Sequence, residues 1–136
     1  MISWRVARAL AMALPESEEK DHFGSPSFRV RDKIFAQLSS VGDAKPRGLV
    51  KLSPSDQQAL ALLDPRTYSP APHWGRYGWT YLELASIDES TYRALLEKSW
   101  RNVAPKQLAA ALGQNGGREP VGKRRPQRSP KGREGR

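Results

Sequence analysis

The sequence of 136 residues contains no cysteine. Disulfides, a thiol nucleophile and a thiolate metal site are therefore excluded, and the composition fits the reducing cytoplasm. No stretch approaches the ~20 consecutive apolar residues that a membrane-spanning helix requires, so we expect no membrane association. Arg5 and Arg8 interrupt the apolar N-terminal stretch, whereas a secretory signal has an uninterrupted apolar part. These features together predict a cytoplasmic protein.

The residue patterns that mark active sites are also scarce. The two histidines, His22 and His73, lie far apart, and neither is followed by a second ligand three or four positions later. No serine has a nucleophile-elbow context, and no glycine-rich loop matches a phosphate- or dinucleotide-binding turn. The acidic run over 16–21 is interpreted as solvated surface, because one run does not make carboxylates converge on a metal ion. We expect neither catalysis nor a bound metal or cofactor, and an enzyme or metal carrier is the least favoured alternative.

The positive charge is concentrated near the C-terminus. The net charge is +9, and residues 113–136, with eight basic and two acidic side chains, account for +6 of it. This segment is rich in glycine, proline and arginine and contains one aliphatic residue, Val121. Because so little apolar surface does not offset the entropy of ordering, the segment is predicted to be a disordered basic tail. The folded domain is predicted over 1–112, with Gly113 ending its last helix.

Hydrophobic periodicity and turn residues predict the elements of that domain. Ser53 and Asp88 have side chains typical of helix N-caps. The predicted order is a helix over 3–14, hairpin strands around 28–31 and 34–38 joined by the turn RDK, a strand over 48–53, a helix over 54–63, a strand over 79–84, and helices beginning after Asp88 and at Pro105. Strands joined by short turns favour an antiparallel sheet, so the sequence predicts a two-layer α+β domain with helices packed on one face.

The segment PHWGRYGWTYLEL, residues 72–84, holds two tryptophans and two tyrosines beside two glycines. Gly75 and Gly78 predict a tight turn between two strands, with Arg76 at its tip. Trp74 and Trp79 are predicted to brace this turn, and one of them is expected to stay exposed.

Alternation along the strands assigns side chains to two faces. If the helices cover the face of Val50 and Leu82, the opposite face carries Lys51 and Trp79, and the hairpin adds Arg29 and Arg31 to a comparable side. Basic side chains neutralise phosphates and aromatic rings stack on bases, so this face is a candidate for nucleic-acid binding. Equally open is the interpretation in which the rings only cover the sheet and the charges keep the protein soluble.

Four segments in the same order resemble the MmcQ/YjbR-like family. They are HFGSPSFRVRDKIFAQL (22–38), VKLSPSDQQALALL (50–63), PHWGRYGWTYLELASID (72–88) and WRNVAPKQLA (100–109). The resemblance covers about residues 2–112 and leaves the tail outside. It implies a CyaY-like (frataxin-like) fold and DNA binding by the sheet and its hairpins. Frataxin-type iron handling is not implied here, because the chain is basic and lacks a dense acidic ridge.

Charge, aromatic content and the resemblance together predict a non-enzymatic DNA-binding protein of weak sequence selectivity, most simply a monomer. The resemblance marks Phe23, Gly24, Pro26 and Phe28 as scaffold, with the phenylalanine rings packed. The predicted nucleic-acid-binding residues are Arg29, Arg31, Lys33, Lys51, Trp74, Arg76 and Trp79 in the domain, and Lys123, Arg124 and Arg125 in the tail. The alternative is a protein-interaction module whose folded domain has no direct role with nucleic acid.

Overall fold

A computed structural model of the chain describes residues 2–39 and 45–116. The elements, in chain order, are α1 (Trp4–Met12), β1 (Ser17–His22), β2 (Ser25–Val30), β3 (Lys33–Ser39), β4 (Arg47–Lys51), α2 (Pro54–Leu63), β5 (Tyr68–Pro70), a 3-10 turn (Gly75–Tyr77), β6 (Trp79–Glu83), α3 (Glu89–Val103) and α4 (Lys106–Gly116). Every element before α4 belongs to one compact unit that ends at Ala104, and a second unit begins at Pro105. The predicted α+β class is confirmed.

The strands form one antiparallel sheet in the order β1-β2-β3-β4-β6-β5. Two of these strands were not predicted from the sequence. β1 is the acidic segment SEEKDH, which was interpreted only as solvated surface, and it pairs with β2 from Ser17↔Val30 to His22↔Ser25. β5 has three residues and pairs with β6 through Tyr68↔Leu82. Both lie at sheet edges, where one neighbouring strand is enough.

One face of the sheet packs against helices. α1 and α3 pack against each other and against β3, and α2 packs against β5. The core between this face and the helices includes Phe28, Val30, Leu38, Val50 and Leu82 of the sheet and Tyr92 and Trp100 of α3, none of them more than 1 % exposed. Burying a side chain of this size contributes about 1.5–3 kcal/mol, so this layer supplies most of the stability. The predicted covered face, with Val50 and Leu82, is confirmed.

The predicted helix caps are also present. The Ser53 hydroxyl accepts a hydrogen bond from the Asp56 N–H at 3.1 Å, and the Asp88 carboxylate accepts one from the Thr91 N–H at 3.1 Å. Each cap satisfies a donor that the first helical turn leaves free. Hydrogen bonds from Ser90 and Thr91 hold the pKa of Asp88 well below its ordinary value, because they stabilise the charged carboxylate.

The first two hairpins close with two-residue turns. Phe23 and Gly24 have φ angles of 52° and 85°, and Arg31 and Asp32 have 51° and 68°. Positive φ at both central residues is the mark of a type I′ turn, whose twist matches that of the flanking strands. The predicted turn is therefore confirmed in position, but it consists of Arg31 and Asp32 alone, and Lys33 already belongs to β3. Arg31 belongs to the turn and not to the strand in which it was also predicted.

The second unit is described by α4 alone. Its first turn is fixed by a hydrogen bond of 3.0 Å from the Ala109 N–H to the Pro105 carbonyl. The helix runs through Gly113, its predicted end, to Gly116. A glycine inside a helix costs only about 0.5–1 kcal/mol relative to alanine, which is too little to end it. The rest of the predicted tail lies outside the described residues, as do Lys123, Arg124 and Arg125.

Candidate nucleic-acid interface

The strand register defines a second face of the sheet, opposite to α1, α2 and α3. Ala36, Val50 and Thr80 are cross-strand neighbours and are buried under the helices. Because side chains alternate along a strand, their sequence neighbours point to the other side. We call this the open face; its central side chains are Arg29, Gln37, Leu49, Lys51, Trp79 and Tyr81, all partly exposed.

A groove of about 280 Å³ lies on the open face. It is lined by His22 of β1, Ile34 and Gln37 of β3, Leu49 of β4, Trp74 before the 3-10 turn, and Trp79 of β6. Lys51 is the direct cross-strand partner of Trp79, and Arg29 is the partner of Ile34. Opposite residues in antiparallel strands have Cβ atoms ~4.5–5.5 Å apart. Two cations therefore adjoin the lining of an aromatic groove.

The two tryptophans are held by the turn between β5 and β6, which we call the aromatic turn (Trp74–Trp79). Gly78 has φ 100°, and a Cβ there would lie 1.7 Å from the Leu52 carbonyl oxygen. A Cβ on Gly75 would lie 2.7 Å from the Pro70 Cβ. Both positions therefore require glycine, as the tight turn predicted. Trp74 is 63 % exposed and Trp79 is half-buried, which identifies Trp74 as the exposed indole.

The basic residues on the first hairpins have different surroundings. Arg29 lies on the open face and donates to the Ser27 hydroxyl at 3.4 Å. Arg31 instead donates two hydrogen bonds to Glu16, one of them Nη2 to Oε2 at 3.0 Å, and this pairing lowers the pKa of Glu16. Lys33 is exposed, but it is the cross-strand partner of the buried Val30. It therefore lies on the face of the sheet opposite to that of Arg29. Of these three residues, only Arg29 adjoins the groove.

A family model for YjbR matches residues 12–102. This chain belongs to the YjbR family. The match covers more than half of the chain and confirms the family to which the sequence motifs pointed. No curated protein matches the chain.

Two crystal structures resemble this YjbR-family chain in fold. One is a Deinococcus radiodurans protein with a DUF419 domain, at a TM-score of 0.70 and 21 % identity, covering 83 % of this chain and 89 % of that one. The other is a Pseudomonas syringae protein, at a TM-score of 0.58 and 16 % identity, covering 76 % and 99 %. At these identities the likeness shows the fold alone. The narrower CyaY-like assignment stays a prediction.

Arg76 lies at the tip of the aromatic turn, as predicted, but outside the groove. Its guanidinium lies 5.0 Å from the centroid of the Tyr77 ring. It lines a separate recess with Pro70, Ala71 and His73. The structure therefore brings Lys51, Trp74, Trp79 and Arg29 to one place and leaves Arg76 at its border.

The prediction for Phe23 was wrong. It was interpreted as a packed scaffold residue, but its side chain is 94 % exposed at the tip of the β1–β2 hairpin. Its ring meets His22 edge-on, with centroids 4.7 Å apart. The turn holds Phe23 at a positive φ of 52°. Phe28, the other predicted scaffold ring, is buried as expected.

Two buried polar residues that the sequence analysis missed hold the backbone under the site. Gln57 of α2 directs its amide nitrogen to the Gly75 and Trp79 carbonyls and to the Thr80 hydroxyl, at 3.0, 3.1 and 3.0 Å. Ser99 of α3 donates to the Phe35 carbonyl and accepts from the Lys51 N–H at 2.8 Å. The sequence signal that could have identified them is a polar residue on the apolar side of a predicted helix, which Gln57 is in α2 and Ser99 is in α3.

The described residues provide no cluster of three or more His, Cys, Asp or Glu side chains that could hold a metal ion. No helix in the described part of the chain is long and apolar enough to span a bilayer.

The basic side chains of the open face differ in their ion pairing. Within 2–39 and 45–116, Arg29 and Lys51 have no carboxylate partner, whereas Arg47 lies 3.9 Å from Glu83. Arg47 also lies 3.9 Å above the Tyr81 ring. Arg29 and Lys51 are thus the cations of this face left available to a ligand.

Proposed function

We propose that the open face binds DNA, chiefly through phosphate contacts and with weak sequence selectivity. The observation that carries the proposal is the position of Lys51 and Arg29, which adjoin an aromatic groove and have no carboxylate partner among the described residues. Cations without an internal partner can neutralise phosphates without first breaking an ion pair. Such contacts position a protein on DNA but carry no sequence information.

The rigidity of the support favours this function. Lys51 has both backbone groups fixed from behind, since Ser99 accepts from its N–H and Asn102 donates to its carbonyl at 2.8 Å. Binding groups on a rigid strand lose less entropy on association than groups on a loop. The basic tail, with Lys123, Arg124 and Arg125, is proposed to add non-specific affinity to that of the face.

The test is a salt titration of duplex binding by the full chain. Wild type is compared with Arg29→Ala/Lys51→Ala and with the control Arg5→Ala/Arg93→Ala, which removes the same charge from the helix layer. Each lost phosphate contact lowers the slope of log K against log salt by about 1. The open-face variant should therefore lose about 2 units of slope, and the control much less.

A third variant separates the domain from the tail. Lys123→Ser/Arg124→Ser/Arg125→Ser should weaken binding but leave the effect of the open-face substitutions in place. If the tail variant abolishes binding and the open-face variant matches the control, the folded domain is not the DNA site.

A second candidate function is a protein-interaction module. The exposed rings of Phe23 and Trp74, at 94 % and 63 %, favour it, because aromatic residues are enriched in protein interfaces. Partner capture from nuclease-treated lysate that depends on Trp74 but not on Lys51 supports this function. Capture that nuclease abolishes supports DNA binding.

A further inference from the structure

We propose that the groove holds one unstacked base, so that the protein binds nucleic acid with an unpaired base more tightly than intact duplex. This inference rests on the proposed DNA binding and adds the part of the ligand that the groove takes. It starts from the lining, in which two indoles, Trp74 and Trp79, border one recess with Ile34 and Leu49. Indole faces are stacking surfaces for any base.

The size of the groove suits a single ring system. Its volume of about 280 Å³ falls just below the ~300–1,000 Å³ typical of pockets for small organic ligands. The groove is partly open to solvent, so a base can enter while its sugar and phosphate remain outside.

The polar side chains of the lining match the edge of a base. Gln37 offers a donor and an acceptor from one amide, and His22 offers two ring nitrogens. Among the described residues, neither side chain has a hydrogen bond, and the His22 ring pairs edge-on with the Phe23 ring. A base edge, which carries donors and acceptors together, can satisfy both of them.

The charges at the rim favour a nucleotide over an uncharged ring. Lys51 lies across from Trp79, and Arg29 lies across from Ile34. Glu18 lies across from Arg29 on β1 but forms no ion pair with it. Cations beside an aromatic recess are complementary to a base that carries its phosphate with it.

Phe23 adds an exposed ring beside His22, which lines the groove. It is fixed by a type I′-like turn next to His22, and the Asp21 carboxylate accepts from the Gly24 N–H at 3.2 Å. Proteins that kink DNA from the minor groove insert apolar side chains such as phenylalanine between base steps and partly unstack them. Phe23 is placed to cover the neighbouring base left without its stacking partner.

The experiment uses the full chain and three duplexes of equal phosphate number. The first is fully paired and carries one abasic nucleotide at an end, the second has one bulged base, and the third has an abasic residue in the bulge. Affinity is measured by anisotropy. We expect the bulged duplex to bind about 5- to 150-fold more tightly than the other two, the range given by one stacked base. Equal affinity for the base-containing and abasic bulges would overturn the proposal.

Matched variants assign the effect to the groove. Trp74→Ala should remove the preference for the bulge, and Trp74→Phe should restore most of it. The control Tyr77→Ala removes an exposed ring of the same turn, 6.1 Å from Trp74 between centroids, that does not line the groove. If Trp74→Ala keeps the preference, the groove is not the base site. Binding of all three duplexes without preference defeats this inference alone, whereas no binding to any of them defeats the proposed function as well.

Discussion

The two faces of the sheet share their strands and differ in almost everything else. On the covered face Val30, Leu38 and Val50 are fully buried, and their packing fixes the fold. On the open face Leu49, Lys51 and Trp79 stay partly exposed on the same strands. The face on which a strand residue lies therefore decides whether its substitution should lower the stability of the fold or the affinity for nucleic acid.

The two faces are nevertheless connected through the backbone. Gln57 and Ser99 are buried on the helix side, and the side chain of each forms hydrogen bonds with backbone groups of residues that support the open face. Gln57 holds the carbonyls of the aromatic turn, and Ser99 holds the N–H of Lys51. Substitutions at these two positions should affect both properties, unlike substitutions of purely apolar core residues or of exposed groove residues.

The largest effect is expected on the covered face. Trp100 is fully buried, and its indole N–H donates to the Pro15 carbonyl at 3.0 Å. Trp100→Ala leaves a cavity and an unpaired carbonyl, so it should lower the free energy of unfolding by about 3–5 kcal/mol, measured by urea titration. Trp74→Ala, on the open face, should change it by under ~0.5 kcal/mol. Similar losses for the two variants would remove the distinction between the faces.

A smaller effect is expected where the faces meet. Gln57→Leu keeps an apolar contact but removes the side-chain hydrogen bonds to the Gly75 and Trp79 carbonyls and to the Thr80 hydroxyl. The loss of these buried hydrogen bonds should cost about 1–3 kcal/mol. It should also weaken nucleic-acid binding, because the aromatic turn loses its anchor. Gln58→Leu is the control, since Gln58 is exposed on the same helix. Unchanged binding by Gln57→Leu would show that the turn keeps its shape without this residue.

The smallest expected effect is a dependence of stability on pH, which arises from the Asp88 cap in the helix layer. The pKa of Asp88 is lowered in the folded state by its hydrogen bonds with Ser90 and Thr91. The cap therefore contributes stability above the unfolded pKa of about 3.9, and this contribution is lost as pH falls through the lower folded pKa. The difference in Tm between wild type and Asp88→Ala should be constant near neutral pH and narrow below about pH 4.

Asp88→Asn provides the control for that titration, because asparagine caps a helix without ionising. Its Tm should stay close to that of wild type at neutral pH and should lack the extra loss in acid. A difference between wild type and Asp88→Ala that persists unchanged in strong acid would contradict the assignment.

The sequence was sufficient for the elements whose apolar residues repeat. β2, β3, β4 and β6 alternate, and α3 carries a buried stripe that includes Tyr92 and Trp100, so periodicity located them and their faces. β1 has no apolar residue in SEEKDH, and β5 is too short for a pattern to appear. These strands exist because a neighbouring strand offers free backbone groups, which local sequence does not reveal.

The sequence predicted individual residues of the site but not how they are arranged in space. Residue types indicated Lys51, Trp74 and Trp79, and the register brought them together. The pairing of Arg31 with Glu16 joins residues separated by a whole hairpin, and the bond from Ser99 to Phe35 joins residues 64 positions apart. Such contacts depend on the folded topology. The exposure of Phe23 followed from a turn that its apolar side chain does not indicate.

The most direct test of the central claim is chemical-shift mapping of the full chain with a short DNA duplex. We predict that the largest amide shifts fall on Gln37, Leu49 and Lys51, with a shift of the Trp79 indole N–H, while Arg5 and Arg93 on the helix layer stay unperturbed. Shifts confined to residues 118–136, or centred on α1 and α3, would contradict DNA binding by the open face.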